Sequence, residues 1–286
     1  MTRIIYVNGR YLPYARANVH AEDRGFQFGD AVYEVCAVRS GRLLDEERHL
    51  DRLERSLAEL AIRAPAPRAA LSHIMRETIR RNRVADGMVY LQVSRGAHRR
   101  EFLFPGSGVE PTLVCLARSV SPAALEAKAK AGIAVVTVPD TRWARCDIKT
   151  VMLLAASLAK EQAHAAGAAE AWFVDRDGFV TEGASSNAFI VDREARLITR
   201  QIDHAILRGV TRTTLFDLLR REDLTVAERP FTVAEAKGAR EAFITSATNL
   251  VMPVVRIDGD VVADGKPGRL TLKLRSEYPC AAEEAA

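Results

Sequence analysis

Lysine is rare in this chain of 286 residues, and one lysine stands where its amine could be activated. Seven lysines occur, and most lie on polar helix faces or in turns. Lys149 differs because it precedes the apolar run at residues 151–156, and a helix is predicted over residues 150–166. At a buried helix N-terminus, desolvation and the helix dipole would both lower the pKa of this amine. A neutral amine is what Schiff-base chemistry requires, whereas the simpler alternative is a lysine that extends to solvent or pairs with Asp147.

A glutamate follows an apolar strand and leads into a loop of small polar residues. Residues 181–187 have the sequence TEGASSN, and glycine and serine at this density let the backbone come close to a ligand. The carboxylate of Glu182 could lie beside a pyridine nitrogen and keep that nitrogen protonated. Taken alone, the segment is more typical of a polar β-turn.

A site for an anion is predicted where a glycine opens a helix. The backbone N–H groups of Val210 and Thr211 follow Gly209 and would be exposed at the helix start. A phosphate would fit there, although a simple helix cap explains the same pattern. Residues 246–248, with Ala247 at their centre, could form a second wall of this site.

Two further side chains lie on predicted elements with one buried face. Arg52 stands at the edge of an apolar helix stripe, so it could reach inward to a phosphate or outward to water. Tyr33 lies in a β-rich run, where a tyrosine of the core is the simpler interpretation.

The elements that would position these residues mix along the chain without a repeat. Asn8 and Gly9 join two short apolar runs, which predicts a β-hairpin. A leucine stripe from Leu50 to Leu60 predicts a helix that two prolines end. The other predicted helices cover residues 69–82, 150–166 and 211–221, and the predicted strands cover residues 4–7, 10–12, 31–39, 42–44, 88–94, 112–117, 133–138, 171–174, 179–181, 188–191, 197–199 and 242–245.

The pattern lapses around residues 121 and 122, which predicts a boundary between two domains. We predict an N-terminal α/β domain over residues 1–118, a linker over residues 119–127 and a C-terminal domain over residues 128–286. Mixed helices and strands in both halves favour an α/β or α+β class.

The composition bounds the class of protein. Hydrophobic residues make up 48% and charged residues 27% of the chain, which is ordinary for a globular protein. The net charge of +4 comes without a basic run interleaved with aromatics, so no nucleic-acid partner is expected. No apolar run reaches the ~18 residues of a membrane span, and the N-terminal residues lack the apolar stretch of a signal peptide. These two observations predict a cytoplasmic location. No CxxC pair or metal-ligand spacing occurs, so no metal is expected.

Taken together, these segments resemble the fold-type IV pyridoxal-phosphate aminotransferases, and most closely the D-amino-acid transaminases. The similar region runs from roughly residue 8 to residue 265. The resemblance implies a two-domain architecture, a homodimer and pyridoxal 5'-phosphate as cofactor. The stretches that carry it are residues 22–30 (EDRGFQFGD), 145–149 (RCDIK), 181–187 (TEGASSN) and 207–212 (LRGVTR).

The resemblance also implies a role for each matched position. Lys149 would form the Schiff base and carry the proton of the reaction, and Glu182 would pair with the pyridine nitrogen. Tyr33 would lie near the substrate. Arg100 falls where the family places an arginine that binds a carboxylate in the neighbouring subunit. The remaining cofactor-binding positions would be Arg52, Val210 and Thr211 for the phosphate, Leu207 against the ring, and Ala247.

Two positions depart from the D-amino-acid pattern. Ala37 stands where that pattern has a lysine, and Phe102 stands where it has a histidine. The expected carboxylate site is therefore only partly present, and whether Arg24 or Arg142 compensates stays open.

The resemblance predicts ping-pong transfer of an amino group from a D-amino acid, such as D-alanine, to a 2-oxo acid, such as 2-oxoglutarate. A branched-chain L-amino-acid or (R)-amine transaminase is the first alternative. An aminodeoxychorismate lyase, which needs no amino acceptor, is the second, and a binding protein that has lost catalysis is the third.

Overall fold

The computed structural model describes residues 3–222 and 224–284, which form two compact units. The first unit consists of the described residues up to 121 together with Ile148–Met152, and the second consists of Pro122–Asp147 and Leu153–Glu284. Each unit contains helices and a β-sheet. The mixed α/β class predicted from the sequence is therefore confirmed.

The first unit is built around an antiparallel sheet flanked by helices. Its elements are β1 (Ile4–Val7), β2 (Arg10–Pro13), α1 (Arg24–Phe28), β3 (Ala31–Arg39), β4 (Arg42–Leu43), α2 (Glu46–Glu59), α3 (Arg68–Asn82), β5 (Gly87–Ser94) and β6 (Thr112–Ser119). The strand order is β2-β1-β6-β5-β3-β4. The long strand β3 has the bounds that the sequence predicts, because its β-branched residues alternate between two faces.

The predicted hairpin and leucine stripe are both confirmed. Asn8 and Gly9 have φ angles of 43° and 88°, and two positive φ angles are what a tight hairpin turn with right-handed strand twist requires. Along α2, Leu50, Leu53 and Leu57 are buried in the core. This packing fixes the helix face that carries Arg52.

The second unit contains a larger mixed sheet. Its elements are α4 (Pro122–Ala131), β7 (Ile133–Pro139), α5 (Leu154–Ala165), β8 (Glu170–Val174), β9 (Val180–Gly183), β10 (Asn187–Val191), β11 (Leu197–Thr199), α6 (Val210–Arg221), β12 (Val226–Glu228), α7 (Val233–Lys237), β13 (Glu241–Ser246), β14 (Leu250–Ile257), β15 (Asp260–Val261) and α8 (Arg269–Glu284). The strand order is β12-β11-β10-β13-β14-β7-β8-β9, and β15 pairs with β14. The strand β7 runs parallel to both of its neighbours.

Strands β9 and β10 are buried along their whole length. Strands covered on both faces usually carry only apolar residues, yet Glu182 lies in β9 and Asn187 begins β10. Their exposed fractions are 5% and 4%. Polar side chains buried this deeply must be hydrogen-bonded, which marks this part of the sheet as a candidate site.

The segment predicted to link the domains is partly helical. The sequence predicts a linker over residues 119–127, but the residues from Pro122 onward belong to α4. Proline is favoured at the first position of a helix, because its missing N–H has no intrahelical partner there. Pro122 therefore starts an element, and the boundary between the two units falls directly before it.

Within the described residues, no helix combines the length and the hydropathy that crossing a bilayer requires.

Candidate active site

Lys149 lies in a short extended segment of the first unit. The backbone N–H of Tyr33 donates to the carbonyl oxygen of Lys149 at 3.0 Å, and the N–H of Val151 donates to that of Ala31 at 3.1 Å. The Nζ atom of Lys149 lies 4.3 Å from the centroid of the Tyr33 ring, within the range of a cation–π interaction. Pairing with β3 therefore holds the amine against the face of a tyrosine.

The helix that the sequence predicts from residue 150 begins only at Leu154. Val151 gives its N–H to Ala31 and so does not join a helical hydrogen-bond ladder. Leu154 itself is 74% exposed. The sequence pattern did not predict this, because an apolar run does not distinguish a core from a surface patch. The prediction that Lys149 lies at a buried helix N-terminus is therefore wrong.

Tyr33 is supported by a second tyrosine that the sequence patterns did not single out. The rings of Tyr33 and Tyr90 stack with centroids 5.4 Å apart, and the hydroxyl of Tyr90 donates to Oε1 of Gln92 at 2.6 Å. Burial raises the pKa of Tyr90, so this hydroxyl stays a donor. The pairing of β3 with β5 sets Gln92 opposite Tyr33, and side chains with a period of two share one face. The register of β3 against β5, if it had been predicted from the sequence, would have shown that Tyr33, Tyr90 and Gln92 lie together.

Arg52 points inward and forms a two-bond ion pair with Glu34. Its Nε and Nη2 atoms each donate to the Glu34 carboxylate at 2.7 Å, and Nδ1 of His49 lies 2.8 Å from the same carboxylate. The side chain of Arg52 is 10% exposed and that of Glu34 is 2% exposed. Burial alone would raise the pKa of Glu34, but the charge and hydrogen bonds of Arg52 outweigh it and lower the pKa to about 2. Arg52 is thus turned inward and not toward water, and its observed partner is Glu34, which the sequence analysis missed.

Glu182 is the centre of a hydrogen-bond cluster in the second unit. Its Oε1 atom accepts a hydrogen bond from Nη1 of Arg142 at 2.5 Å. Its Oε2 atom accepts from Nδ2 of Asn187 at 2.9 Å and from the backbone N–H of Leu207 at 3.1 Å. A carboxylate with donors on both oxygens is fixed in orientation. The predicted residues Glu182 and Leu207 are therefore brought together through the backbone of Leu207.

Arg142 is clamped between two carboxylates. Its Nε and Nη2 atoms donate to Asp140 at 3.0 and 2.8 Å, and Nη2 also donates to the carbonyl oxygen of Ala205 at 3.0 Å. Its guanidinium lies 4.4 Å from the centroid of the Phe173 ring. Burial alone would lower the pKa of Arg142, but hydrogen bonding to Asp140 and the charge of Glu182 raise it. The guanidinium is therefore a fixed positive charge of the cluster.

The two arginines considered for the substrate carboxylate are both engaged elsewhere in their own units. Arg142 binds Glu182, as described above. Arg24 donates from Nε to Asp30 at 2.7 Å and from Nη1 to the carbonyl oxygen of Glu101 at 2.5 Å. Arg24 thus anchors the loop that carries Arg100.

Arg100 lies on an exposed loop lined by apolar side chains. Its guanidinium is 5.3 Å from the Phe28 ring centroid and 5.9 Å from that of Phe102. Phe102, Leu103 and Phe104 are 81%, 83% and 60% exposed. Such a run of exposed apolar residues is unusual for a surface that faces only water.

The start of α6 has the geometry of an anion site. Gly209 is the N-cap residue, and no side chain caps the helix there. A Cβ atom at Gly209 would lie 2.1 Å from Oδ1 of Asn187, so only glycine lets this backbone approach the Glu182 cluster. Val210 and Thr211 then open the helix, as predicted, and their N–H groups belong to the first turn, which lacks intrahelical acceptors.

The turn between β13 and β14 carries Ala247, the remaining predicted position. Ala247 is half-buried. The preceding Thr245 is 2% exposed, and its Oγ1 atom has no hydrogen-bond partner among the described residues. A buried hydroxyl without a partner is rare and suits contact with a group that binds there.

Comparison with known proteins gives a family match over most of the chain. The profile of the family described as amino-transferase class IV matches residues 31–257. This range contains β3, Lys149, Glu182 and the start of α6.

Curated relatives are similar over nearly the whole length. The D-alanine aminotransferase of Bacillus licheniformis is 36% identical over 272 residues, which cover 95% of this chain and 94% of that protein. The D-alanine aminotransferase of Listeria innocua is 37% identical over 276 residues, with coverages of 96% and 94%. Among solved structures, the branched-chain amino acid aminotransferase of Escherichia coli has a TM-score of 0.88 at 21% identity, with coverages of 97% and 94%. This last likeness confirms the predicted fold-type IV architecture.

Proposed function

Because the chain belongs to the class IV aminotransferase family, we propose that it transfers an amino group from a D-amino acid, such as D-alanine, to a 2-oxo acid, such as 2-oxoglutarate. The observation that carries this proposal is the 36% identity to a D-alanine aminotransferase over 95% of the chain. The cofactor is pyridoxal 5'-phosphate, which supplies an aldehyde for the amino group and a ring that takes up electrons when a Cα–H bond breaks.

The described residues have the chemistry that this cofactor needs. Lys149 offers an amine held against Tyr33, and Glu182 offers a fixed carboxylate for a ring nitrogen. The helix start after Gly209 has no side-chain cap, which suits a phosphate. The buried hydroxyl of Thr245 has no partner among the residues described. These features of the structure support the fit of the cofactor independently of the similarity to known aminotransferases.

In the proposed mechanism, Lys149 would hold the cofactor covalently through its ε-amine. Once it is free, the same ε-amine would act as the general base that removes the Cα proton of the substrate and later returns a proton. The face of the Tyr33 ring supports Lys149 in either role, because it accommodates the amine and stabilises the ammonium. Glu182 would keep the ring nitrogen protonated in both half-reactions. Because the holoenzyme would retain the amino group after the first oxo acid leaves, ping-pong kinetics are expected.

The phosphate would be bound by Arg52 and by the backbone N–H groups of Val210 and Thr211. Glu34 holds the guanidinium of Arg52 in a fixed plane through its two hydrogen bonds, which limits the side-chain entropy lost on binding an anion. The backbone at Ala247 would close the site, and the side chain of Leu207 would pack against the ring.

The proposed assembly is a homodimer in which Arg100 serves the neighbouring subunit. The exposed run Phe102, Leu103 and Phe104 beside Arg100 supports this assignment, because a second copy would cover it. Ala37 and Phe102 leave fewer charged groups for the substrate carboxylate than the D-amino-acid pattern has. Tyr33 is proposed to lie near the substrate, and the cytoplasmic location stays a prediction.

A substrate panel with both enantiomers tests the proposal. The purified holoenzyme would be supplied with 2-oxoglutarate and with D-alanine, L-leucine or (R)-phenylethylamine, and formation of the oxo product would be followed. We expect the highest kcat/KM with D-alanine or another D-amino acid. No activity on any D-amino acid, together with turnover of L-leucine or the amine, would replace the proposed substrate class with the corresponding alternative.

The lyase alternative predicts a different requirement. Pyruvate released from aminodeoxychorismate without any 2-oxo acid would identify an elimination instead of a transamination. We expect no pyruvate under these conditions. A colourless protein whose mass is unchanged by borohydride after incubation with cofactor would instead indicate a binding protein that has lost catalysis.

A further inference from the structure

We propose that Arg142 is a positioning residue for this reaction: it holds Glu182 in its ionised form and thereby keeps the proton on the ring nitrogen of the cofactor. The inference rests on the proposed pairing of Glu182 with that nitrogen. It assigns a function to an arginine that the sequence analysis considered only for the substrate carboxylate.

The contacts of Glu182 make Arg142 its charged partner. Of the three donors described above, Asn187 and the backbone of Leu207 are neutral, whereas the guanidinium of Arg142 is cationic and forms the shortest bond, at 2.5 Å. Hydrogen bonds from ionised donors are roughly twice as strong as neutral ones. Arg142 therefore contributes most to the stability of the charged carboxylate.

Arg142 is held in place independently of Glu182. Asp140 binds its Nε and Nη2 atoms, and the hydroxyl of Thr181 donates to Asp140 at 2.8 Å. The ring of Phe173 lies against the guanidinium plane, which suits arginine better than lysine. Because these contacts fix the guanidinium, they also fix the direction in which the Glu182 carboxylate points.

The charge balance of the cluster favours a cation beside it. Asp140 and Glu182 share one guanidinium, so the three ionised groups together carry one negative charge. The side chains of Asp140 and Arg142 are each 13% exposed and that of Glu182 is 7% exposed, so water screens this charge weakly. A protonated ring nitrogen would neutralise it.

The position of the shared proton depends on which of the two bases is stronger. A carboxylate that accepts a bond from a guanidinium is a weaker base, so the proton stays on the nitrogen. Without Arg142, Glu182 would become more basic, and a buried neutral pair of carboxylic acid and uncharged ring would compete with the ion pair. Each pKa unit gained by Glu182 changes the distribution of the proton by a factor of about 10.

The test compares Arg142→Gln with Arg200→Gln in the holoenzyme. Arg200 is a matched control, because its side chain is also 13% exposed and it also binds two carboxylates, those of Asp175 and Asp203. The protein would be reconstituted with cofactor labelled with ¹⁵N in the ring, and the chemical shift of that nitrogen would report its protonation. We expect Arg142→Gln to move the shift toward the unprotonated value and Arg200→Gln to leave it unchanged. An unchanged shift in Arg142→Gln would overturn the inference.

Kinetics of the isolated half-reaction provide a second readout. We expect Arg142→Gln to slow Cα-proton removal from D-alanine by about 10-fold or more while KM changes little, since the donors of Arg142 are engaged by Asp140, Glu182 and the backbone of Ala205. Arg142→Lys keeps the charge and should retain the wild-type nitrogen shift with a smaller loss of rate. A nitrogen that is unprotonated in Arg142→Lys but protonated in Arg142→Gln would contradict the proposed role of charge.

Two more variants keep the result interpretable. If Arg142→Gln does not fold, Arg142→Met removes the charge while it keeps an unbranched apolar stem of similar length. We again expect the nitrogen shift to move toward the unprotonated value, and a fully protonated nitrogen in Arg142→Met would refute the inference. Glu182→Gln tests the underlying site. Protonation that survives Glu182→Gln would reject the proposed site itself, whereas protonation lost in Glu182→Gln but kept in Arg142→Gln would reject only the role of Arg142.

Discussion

Glu34 contributes stability that depends on its charge. Its pKa falls from an ordinary value of 4.5 to about 2 in the folded protein. A carboxyl whose pKa is lowered by folding stabilises the fold above its unfolded pKa, and this contribution is lost as the pH falls from about 4.5 toward 2. A shift of this size corresponds to about 3 kcal/mol at neutral pH.

We therefore expect Glu34→Gln to lower the free energy of unfolding by about 3 to 5 kcal/mol at pH 7, because it also leaves Arg52 buried without its charged partner. The difference from wild type should shrink as the pH falls below 4.5. Urea unfolding at several pH values measures both quantities. Glu54→Gln, an exposed position on α2, the helix that carries Arg52, should cost less than about 1 kcal/mol. A difference that stays constant between pH 7 and pH 3 would contradict the assignment.

Lys149 should be essential for turnover and dispensable for folding. We expect Lys149→Ala to abolish transamination, because no other amine pairs with β3 as Lys149 does among the described residues. The circular dichroism spectrum should not change, since the side chain is only half-buried. Borohydride reduction followed by peptide mass spectrometry should find the cofactor on Lys149 in wild type. Lys273→Ala, which removes an exposed ion pair with Glu222, serves as the control, and near wild-type rates in Lys149→Ala would reject the assignment.

The sequence identified the residues whose chemistry is distinctive, but not the residues that hold them. Lys149 and Glu182 stand in motifs that local sequence reveals, whereas Arg52 stands at the edge of a leucine stripe. Their partner Glu34 was missed and the role of Arg142 was left open, because these contacts join positions 18 and 40 residues apart. Such contacts follow from strand pairing and helix packing, which a local pattern does not encode.

The start of α6 gives a prediction about how this helix meets β10. Gly209 has φ −62° and ψ 134°, which any residue adopts, so replacement by alanine would cause a clash without backbone strain. The new Cβ would displace Asn187, which holds both Glu182 and the backbone of Leu207. We expect Gly209→Ala to weaken cofactor binding by about 10-fold and to destabilise the protein by about 1 to 3 kcal/mol.

Cofactor titration followed by absorbance, together with thermal unfolding, measures these two effects. Gly106→Ala is the control, because nothing lies within 4 Å of a Cβ there and its φ is not positive. Unchanged cofactor affinity in Gly209→Ala would mean that Asn187 adjusts without moving Glu182.

Helices and strands were predicted well where the hydrophobic pattern is long and is bounded by turn or capping residues. The strand β3 and the helix α6 differ from their predicted bounds by at most one residue at each end. The start of α5 was placed four residues early, because apolar composition alone cannot show that Val151 pairs with a strand far away in sequence. The patterns also predict no element after residue 245, where β14 and α8 lie.

The exposed apolar loop of the first unit makes a prediction about assembly. If Phe102, Leu103 and Phe104 pack against a second copy, Leu103→Asp should place a charge in an apolar interface and shift the protein from dimer to monomer. Light scattering coupled to size-exclusion chromatography measures the mass of each species. Val261→Asp, at an exposed apolar position on β15, is the control. A wild-type protein that is monomeric, or a Leu103→Asp variant that dimerises as tightly as wild type, would rule out this interface.

The path of the chain has a consequence for any attempt to divide this protein. The chain leaves the first unit after residue 121 and returns to it for only five residues, Ile148–Met152, before it leaves again. A gene cut at residue 121 would therefore give one fragment with Lys149, the proposed Schiff-base lysine, and another with β3, the strand whose backbone pairs with it. Neither fragment alone would hold the Lys149 amine against the Tyr33 ring. We expect activity only when the two fragments are co-expressed and associate.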